Sequence, residues 1–218
     1  IIDSLSMNIQ DIRKEYTQHS LDESDVVPNP VQQFKRWFDE ALNAEILEAN
    51  AFNLTTVDEQ GRPHSRIVLL KGITESGFEF FTNYHSHKAQ NIQRHPWVSM
   101  TFFWPELERQ IRIEGKADRI SAERSQEYFF SRPHQSQLGA WASNQSECIA
   151  SREVLENHLK ELNKKYPEGT KIPYPDHWGG YEIIPTMMEF WQGRASRLHD
   201  RIRYTLDDLS WNISRLSP

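Results

Sequence analysis

The sequence runs to 218 residues, 37% hydrophobic and 26% charged, with seven Trp, seven Tyr and eleven Phe; this excludes a disordered chain and suits one globular domain with appended helices. A formal charge of −6 excludes a protein that coats nucleic acid and confines any anion site to a local cluster of Arg and Lys. Cys148 is the single cysteine, which excludes an internal disulfide or a cysteine-built zinc site, so redox chemistry would require a bound cofactor.

No run approaches the ~20 apolar residues of a membrane span, and the N-terminal stretch lacks the regions of a secretory signal, so a cytoplasmic protein with no membrane partner is expected. The sequence opens on Ile1-Ile2-Asp3 rather than Met, which leaves room for a leader. A first helix is predicted from about Ser6 to Tyr16, with Ile9, Ile12 and Tyr16 on one short apolar stripe that implies weak docking. A second begins at Asn29-Pro30, where Asn caps and Pro suits the first turn, and is expected to bury Val31, Phe34, Phe38, Ala41 and Leu42. From Ala51 the pattern becomes β-rich. Ala51–Val57, a turn at Glu59-Gln60-Gly61-Arg62, and His64–Lys71 form a predicted hairpin. Strands follow at Phe78–Thr82, Trp97–Trp104 and Glu108–Ile120, the last alternating Ile111 and Ile113 with Gln110, Arg112 and Glu114. Helices are predicted at Ser86–Arg94, Ser121–Phe130 and Arg152–Tyr166. The tail returns to strand at Gly180–Ile184, Met188–Gln192, Leu198–Tyr204 and Ser210–Arg215, the last two joined around Asp207-Asp208. Many closely spaced strands with helices inserted irregularly favour an antiparallel barrel, α+β but mainly β, over a parallel sheet.

Four segments concentrate chemistry. RIVLLK places Arg66 and Lys71 at opposite ends of a strand and on opposite faces, suited to two different anionic groups or simply solvated. Thr82-Asn83-Tyr84-His85-Ser86-His87-Lys88 is a strand end followed by a Ser-capped helix start, an anion site or a cap without ligand. Tyr128, Arg132 and Ser136 are spaced by four, but Pro133 interrupts the helix, so they converge only if the break is sharp. In the tail, Arg197, His199 and Arg201 are expected on one face of a strand, where they repel unless a ligand answers them, or Glu189 or Asp207 does.

Across these residues, from about Arg13 to Pro218, the chain resembles the pyridoxine/pyridoxamine 5′-phosphate oxidase family. The matching motifs are IRKEYT, RIVLLK, FFTNYHSHKA, LERQIRIEGKA, SRPHQSQLGAWAS, FWQGRASRLHDR and ISRLSP, and their specificity lies in the set. The resemblance implies a split β-barrel homodimer with FMN in clefts at the subunit interface, each lined by both chains. Residues 1–50 would be a helical segment covering the barrel and 51–218 the barrel domain, together one structural unit. It assigns FMN to Arg66, Ile67, Val68, Leu69, Leu70, Lys71, Phe81, Thr82, His87, Lys88, Gln110, Gln145, Ser146, Trp191 and Arg201. Substrate would meet Arg13, Tyr16, Lys71, Tyr128, Arg132, Ser136, Arg197 and His199, with Arg197 and His199 holding the pyridine at the flavin as catalytic residues. Members often carry Arg where His87 stands, which implies FMN binding that is weaker or more sensitive to pH. Glu48 stands where related chains place an acidic residue near the substrate. The implied reaction oxidises pyridoxine or pyridoxamine 5′-phosphate to pyridoxal 5′-phosphate with O2, releasing hydrogen peroxide, and ammonia from the amine. The alternatives are a flavin oxidase acting on another substrate, such as a phenazine precursor, and a non-catalytic FMN or pyridoxal phosphate carrier.

Overall fold

A computed structural model describes residues 8–12 and 14–218. In chain order the elements are α1 (Pro30–Asn43), β1 (Ala51–Val57), β2 (Pro63–Leu69), β3 (Gly72–Ile73), β4 (Phe78–Asn83), α2 (His87–Arg94), β5 (Trp97–Trp104), β6 (Arg109–Arg119), α3 (Ala122–Ser131), α4 (His134–Ala142), α5 (Arg152–Lys165), β7 (Trp178–Gln192), β8 (Asp200–Asp207) and β9 (Ser210–Arg215). The strand order is β2-β1-β5-β6-β7-β4-β3, with β8 paired to β7 and β9 to β8. The chain divides into two compact units, one of Ile1–Leu47, Phe103–Ile111 and Met188–Pro218, the other of Glu48–Phe102 and Arg112–Met187. Among the described residues no helix is long and apolar enough to cross a membrane.

The first unit is organised by α1. Asn29 accepts from the N–H groups of Val31 and Gln32, and Pro30 opens the helix without a lost donor. Phe34, Trp37 and Ala41 form the buried face. Trp37 packs edge-on against Phe190, ring centroids 5.2 Å apart, and takes the Arg109 guanidinium on its face at 4.3 Å. That choice rotates the stripe away from the expected one. Leu42, about 100° beyond Ala41 on the helix, is exposed, and Phe38 is half-buried. Arg109 is itself buried, donating to Gln192 at 2.9 Å and to Glu40 at 2.5 Å. β8 and β9 form a hairpin in the register Ile202↔Arg215 to Asp207↔Ser210. At its end Arg215 bonds Glu23 (2.8 and 2.9 Å), Asp22 (3.2 Å), Asp200 (2.9 Å) and the carbonyl of Leu21 (3.2 Å). These contacts hold the Glu23 carboxyl down at about 2. Of the predicted Ser6–Tyr16 helix, the described residues contain a 3-10 turn at Ile9–Asp11, because Ile9 and Ile12 find no core and stay exposed.

The second unit holds the β1–β2 hairpin, paired from Ala51↔Leu69 to Val57↔Pro63 and closed by a turn in which Gly61 takes φ +76°. Its core collects Phe52, Leu54, Phe78, Phe80, Met100, Phe102, Ile113 and Ile183, all fully buried or nearly so. A smaller cluster of Phe129, Leu138, Ile172 and Trp178 lies under the helices, with Leu159 and Leu162 of α5 packed against it. Two expectations change here. Gly180–Ile184 and Met188–Gln192 are parts of one strand, β7, since Pro185 suits an extended backbone and removes a single N–H donor, while the Thr186 hydroxyl donates to the Glu114 carbonyl at 3.2 Å. The segment after Pro133 becomes a full helix, α4.

Gly115 of β6 lies where a Cβ would collide with the backbone of Ile184 and Pro185, whereas Gly139 of α4 has nothing within 4 Å of a Cβ. The two should respond to the same methyl group with opposite signs. Gly115→Ala is expected to lose about 1–3 kcal/mol of stability through forced backbone displacement, and Gly139→Ala to gain up to about 1 kcal/mol of helix propensity. Urea unfolding midpoints of the two variants check both signs.

Candidate functional site

The second unit contains a cleft of about 750 Å³ into which β2, β4, α2, α3 and α4 all project side chains. Arg66, Lys71, Lys88 and Arg132 line it, and among the described residues no Asp or Glu does. Neutral groups hold the cations instead. Arg66 Nη1 donates to the carbonyls of Leu54 (3.1 Å) and His64 (2.7 Å) and to the Thr56 hydroxyl (2.9 Å). Lys88 sits in the first turn of α2, which Ser86 caps by accepting from Ala89 N. Its Nζ donates to Thr82 Oγ1 at 3.2 Å and Gln145 Oε1 at 3.1 Å, and Thr82 in turn donates to Gln145 at 2.9 Å. Burial, and next the charge of Arg66, push the Lys88 ammonium down to about 8. Burial also lowers Arg66 and Arg132.

The break between α3 and α4 brings the remaining predicted group together. Arg132 caps α3 in an extended conformation, φ −75° and ψ 150°, so the chain turns before Pro133 and Tyr128, Arg132 and Ser136 all line the cleft. The Arg132 guanidinium lies 4.6 Å from the Trp178 ring centroid, and its Nη1 is buried with no hydrogen-bond partner among the described residues. Tyr128 stacks on Phe81 at 3.9 Å, and burial raises its hydroxyl. Arg66 and Lys71 were expected to diverge, but β2 ends at Leu69 and Lys71 follows outside the strand, so both reach this cleft. Ile67, Val68, Leu69, Phe81, Thr82 and Gln145 line it too. Leu70 turns into the core. His87 and Ser146 do not line the cleft: His87 is exposed with its ring 4.6 Å from that of His64, and its N–H donates to the hydroxyl of Ser146. Glu48 is exposed and is absent from the lining. Trp178, Asn83 and Ser143 also line the cleft; Asn83 and Ser143 stand in quoted motifs with no role assigned to them, and Trp178 carries no sequence signal beyond apolar character.

The first unit carries a different group. The rings of Tyr16, Trp191 and His199 meet at 4.6–5.8 Å, beside a cleft of about 630 Å³ lined in part by Lys14, Tyr16, Arg194, Arg197 and His199. The expected strand with Arg197, His199 and Arg201 on one face is not formed. Ala195–Arg197 is a tight turn with Ser196 and Arg197 at φ 58° and 62°, and β8 starts only at Asp200. Arg201 instead pairs with the buried Glu189 at 2.8 and 3.1 Å, which raises it further, and donates to the Ser217 carbonyl at 2.9 Å. His199 Nδ1 accepts from the Arg194 N–H at 3.0 Å, which leaves the proton of the neutral ring on Nε2. Burial, and then the charge of Arg197, lower His199 against the opposing effect of Asp200. Gln110 is half-buried in β6 and lines neither cleft. Arg13 lies outside the described residues.

Residues 38–166 match the family model described as pyridoxamine 5′-phosphate oxidase, and residues 178–218 match that of the pyridoxine 5′-phosphate oxidase C-terminal dimerisation region. A pyridoxine/pyridoxamine 5′-phosphate oxidase of Cytophaga hutchinsonii is 55% identical over 98% of this chain and its own full length. One from Neisseria meningitidis serogroup C is 53% identical over 97% of this chain and all of its own. Among solved structures, PhzG of Burkholderia lata 383, in complex with tetrahydrophenazine-1-carboxylic acid, superposes with a TM-score of 0.87 at 32% identity, covering 93% of this chain and 99% of that one. Strand order and likeness define the class, an α+β, mainly β split barrel. The chain belongs to the pyridoxamine 5′-phosphate oxidase family.

A lysine lowered to about 8 makes anion binding depend on pH. Only the ammonium attracts an anion, and a bound anion raises it again, so binding takes up a proton once the free protein has lost one. Affinity for phosphate dianion is therefore expected to be flat near pH 7 and to fall by up to about tenfold per pH unit above 8. The same group acts oppositely on the ligand-free fold: the unfolded chain keeps its proton up to the normal lysine range, so this term adds stability as pH rises from about 8 toward 10.5. Titration calorimetry with inorganic phosphate from pH 7 to 9.5, with Lys88→Arg as a variant whose charge persists, checks the profile.

Proposed function

We propose that this chain oxidises pyridoxine 5′-phosphate and pyridoxamine 5′-phosphate to pyridoxal 5′-phosphate, with FMN as its cofactor and a homodimer as its working form. Family membership supports the activity, and the match to a dimerisation region supports the dimer. The observation that carries the reading is the cleft with four cations and no carboxylate among its described lining. Its polar groups fall into two sets: Arg66 and Lys88 with Thr82 and Gln145, and Arg132 and Lys71 with Tyr128 and Ser136. Two phosphates, one on the cofactor and one on the substrate, would satisfy them. An Arg132 Nη1 without a partner among the described residues and a Lys88 lowered by burial are donors suited to an anion.

No side chain can accept a hydride equivalent, so bound FMN would supply the acceptor and O2 the final oxidant. The alcohol and O2 give aldehyde and hydrogen peroxide; the amine, O2 and water give aldehyde, ammonia and hydrogen peroxide. In this reading Arg66, Thr82, Lys88 and Gln145 hold FMN against Phe81 and the β2 segment Ile67–Leu69, whereas Leu70, His87, Gln110, Ser146, Trp191 and Arg201, which do not line this cleft, are assigned to FMN through the family likeness alone. Lys71, Tyr128, Arg132 and Ser136 hold the substrate phosphate, and the raised Tyr128 hydroxyl stays a neutral donor. In the dimer, whose clefts the family likeness has both chains line, Tyr16, Arg197 and His199 would orient the pyridine, and Arg13 is assigned to the substrate with them. Because the Nδ1 lone pair of His199 is engaged by Arg194, its Nε2–H donates a hydrogen bond to the substrate rather than removing a proton. The likeness to PhzG favours a second reading, oxidation of a phenazine precursor. The phosphate-sized donor set around Arg132 weighs against it, since a phenazine carboxylate brings no phosphate.

The deciding assay is oxygen uptake. The purified protein is expected to be yellow, to release FMN on denaturation, and to consume one O2 per pyridoxal 5′-phosphate formed. Failure to oxidise pyridoxine 5′-phosphate with FMN bound would overturn the assignment. Arg197→Met is expected to retain FMN but reduce it on the order of a hundredfold more slowly at saturating pyridoxine 5′-phosphate, as lost positioning predicts. Anaerobic flavin bleaching measures this, and the wild-type rate would remove Arg197 from the chemistry.

A further inference from the structure

Three of the four cleft cations have an evident holder or reach solvent. Arg66 is fixed by three oxygen acceptors, Lys88 by Thr82 and Gln145, and Lys71 is exposed. Arg132 differs. Its backbone is set, with N–H donating to Phe129 O and carbonyl accepting from Gln137 Nε2 at 2.9 Å. Its guanidinium is partly desolvated and lies beside aromatic rings, 4.6 Å from the centroid of Trp178 and 5.9 Å from that of Phe129. An aromatic face attracts a cation without occupying an N–H donor as a carboxylate would, so the fork stays available to a ligand.

Trp178 is suited to such a role. It opens β7, its carbonyl accepts from the Tyr174 hydroxyl, and the residue is 6% exposed, packed into the cluster of Phe129, Leu138 and Ile172 while lining the cleft. Phe81 and Tyr128 stack near-parallel to it at 5.5 and 6.1 Å. The ring can neither tilt nor withdraw without disturbing this stack. We propose that Trp178 is a positioning residue that holds Arg132 ready for a phosphate, and so sets the preference for phosphorylated over unphosphorylated pyridines. The inference rests on Arg132 meeting the substrate phosphate. The competing account is that Trp178 is core filling alone, in which case its loss would act on the fold without regard to Arg132.

A double-mutant cycle separates the two. Trp178→Leu, Trp178→Phe, Arg132→Ala and the Trp178/Arg132 double variants are saturated with FMN. The dissociation constants of pyridoxal 5′-phosphate and of pyridoxal are then measured, with FMN affinity followed by flavin fluorescence. Trp178→Leu is expected to weaken pyridoxal 5′-phosphate about ten- to thirtyfold, the range of a desolvated cation–π contact. Pyridoxal and FMN should stay within about twofold, and the substitution should cost under about twofold once Arg132 is already Ala. The same loss with and without Arg132, or equal loss for both pyridines, would overturn the proposal. If Trp178→Leu does not fold, Trp178→Phe runs the same cycle with a smaller loss, which must again vanish in the Arg132→Ala background. A wild-type protein that binds the two pyridines equally would overturn the phosphate reading of the cleft and this inference with it, whereas failure of the cycle alone overturns only the role of Trp178.

Discussion

Positive charge left without a carboxylate is the constraint around which the second unit is built. Arg66, Lys71, Lys88 and Arg132 share one cleft, and each cation placed there raises the cost of the next. The chain has acids to spare at a net charge of −6, yet none among the described residues lines this cleft, and buried Glu79 pairs with Arg124 at 2.9 Å and Asp58 with His64 at 2.9 Å instead. Carbonyls, hydroxyls, an amide and an indole do the holding instead. A carboxylate in the lining would neutralise these cations and compete with any anion that entered the cleft. Neutral holders keep the field intact, and the lowered Lys88 records the strain.

The first unit follows the opposite rule. Arg109 is answered by Glu40, Arg201 by Glu189 and Arg215 by three carboxylates. What remains for chemistry there is a trio of rings and a turn that lifts Arg197 into the left-handed region. Such a backbone costs on the order of 1–3 kcal/mol and persists where surrounding structure enforces it. The Glu189 pair also limits Arg201. Of its five N–H donors three are committed to Glu189 and Ser217, so at most two remain for a ligand.

Much of this was legible because it depends on local chemistry. Asn29-Pro30 marks the start of α1, Ser86 caps α2, and β5 spans Trp97–Trp104 as its composition predicts. The convergence of Tyr128, Arg132 and Ser136 was conditional in the sequence on a sharp break, and the extended Arg132 supplies it. What escaped depends on partners distant in sequence. Trp37 takes the inward place expected of Leu42 because Phe190 and Arg109 meet it. Arg201 leaves the expected cation row because Glu189 claims it, a competition visible in sequence but not decidable there. Trp178 reads as one more core aromatic until the guanidinium beside it is seen. Pro185 reads as a strand end, although an extended strand loses only one donor to it.

The contacts of Arg215 have a consequence for heat and salt. One guanidinium gathers Asp22, Glu23 and Asp200 at 2.8–3.2 Å, tying a stretch early in the sequence to the β8–β9 hairpin. Charged groups lose part of their hydration advantage as temperature rises, so a network of this kind takes a growing share of the folded state's stability on warming, while apolar burial levels off. Added salt screens exposed pairs and pulls the other way. This corner of the first unit would then be among the later parts to loosen in dilute warm buffer and among the earlier in concentrated brine, a difference in order of unfolding rather than in fold.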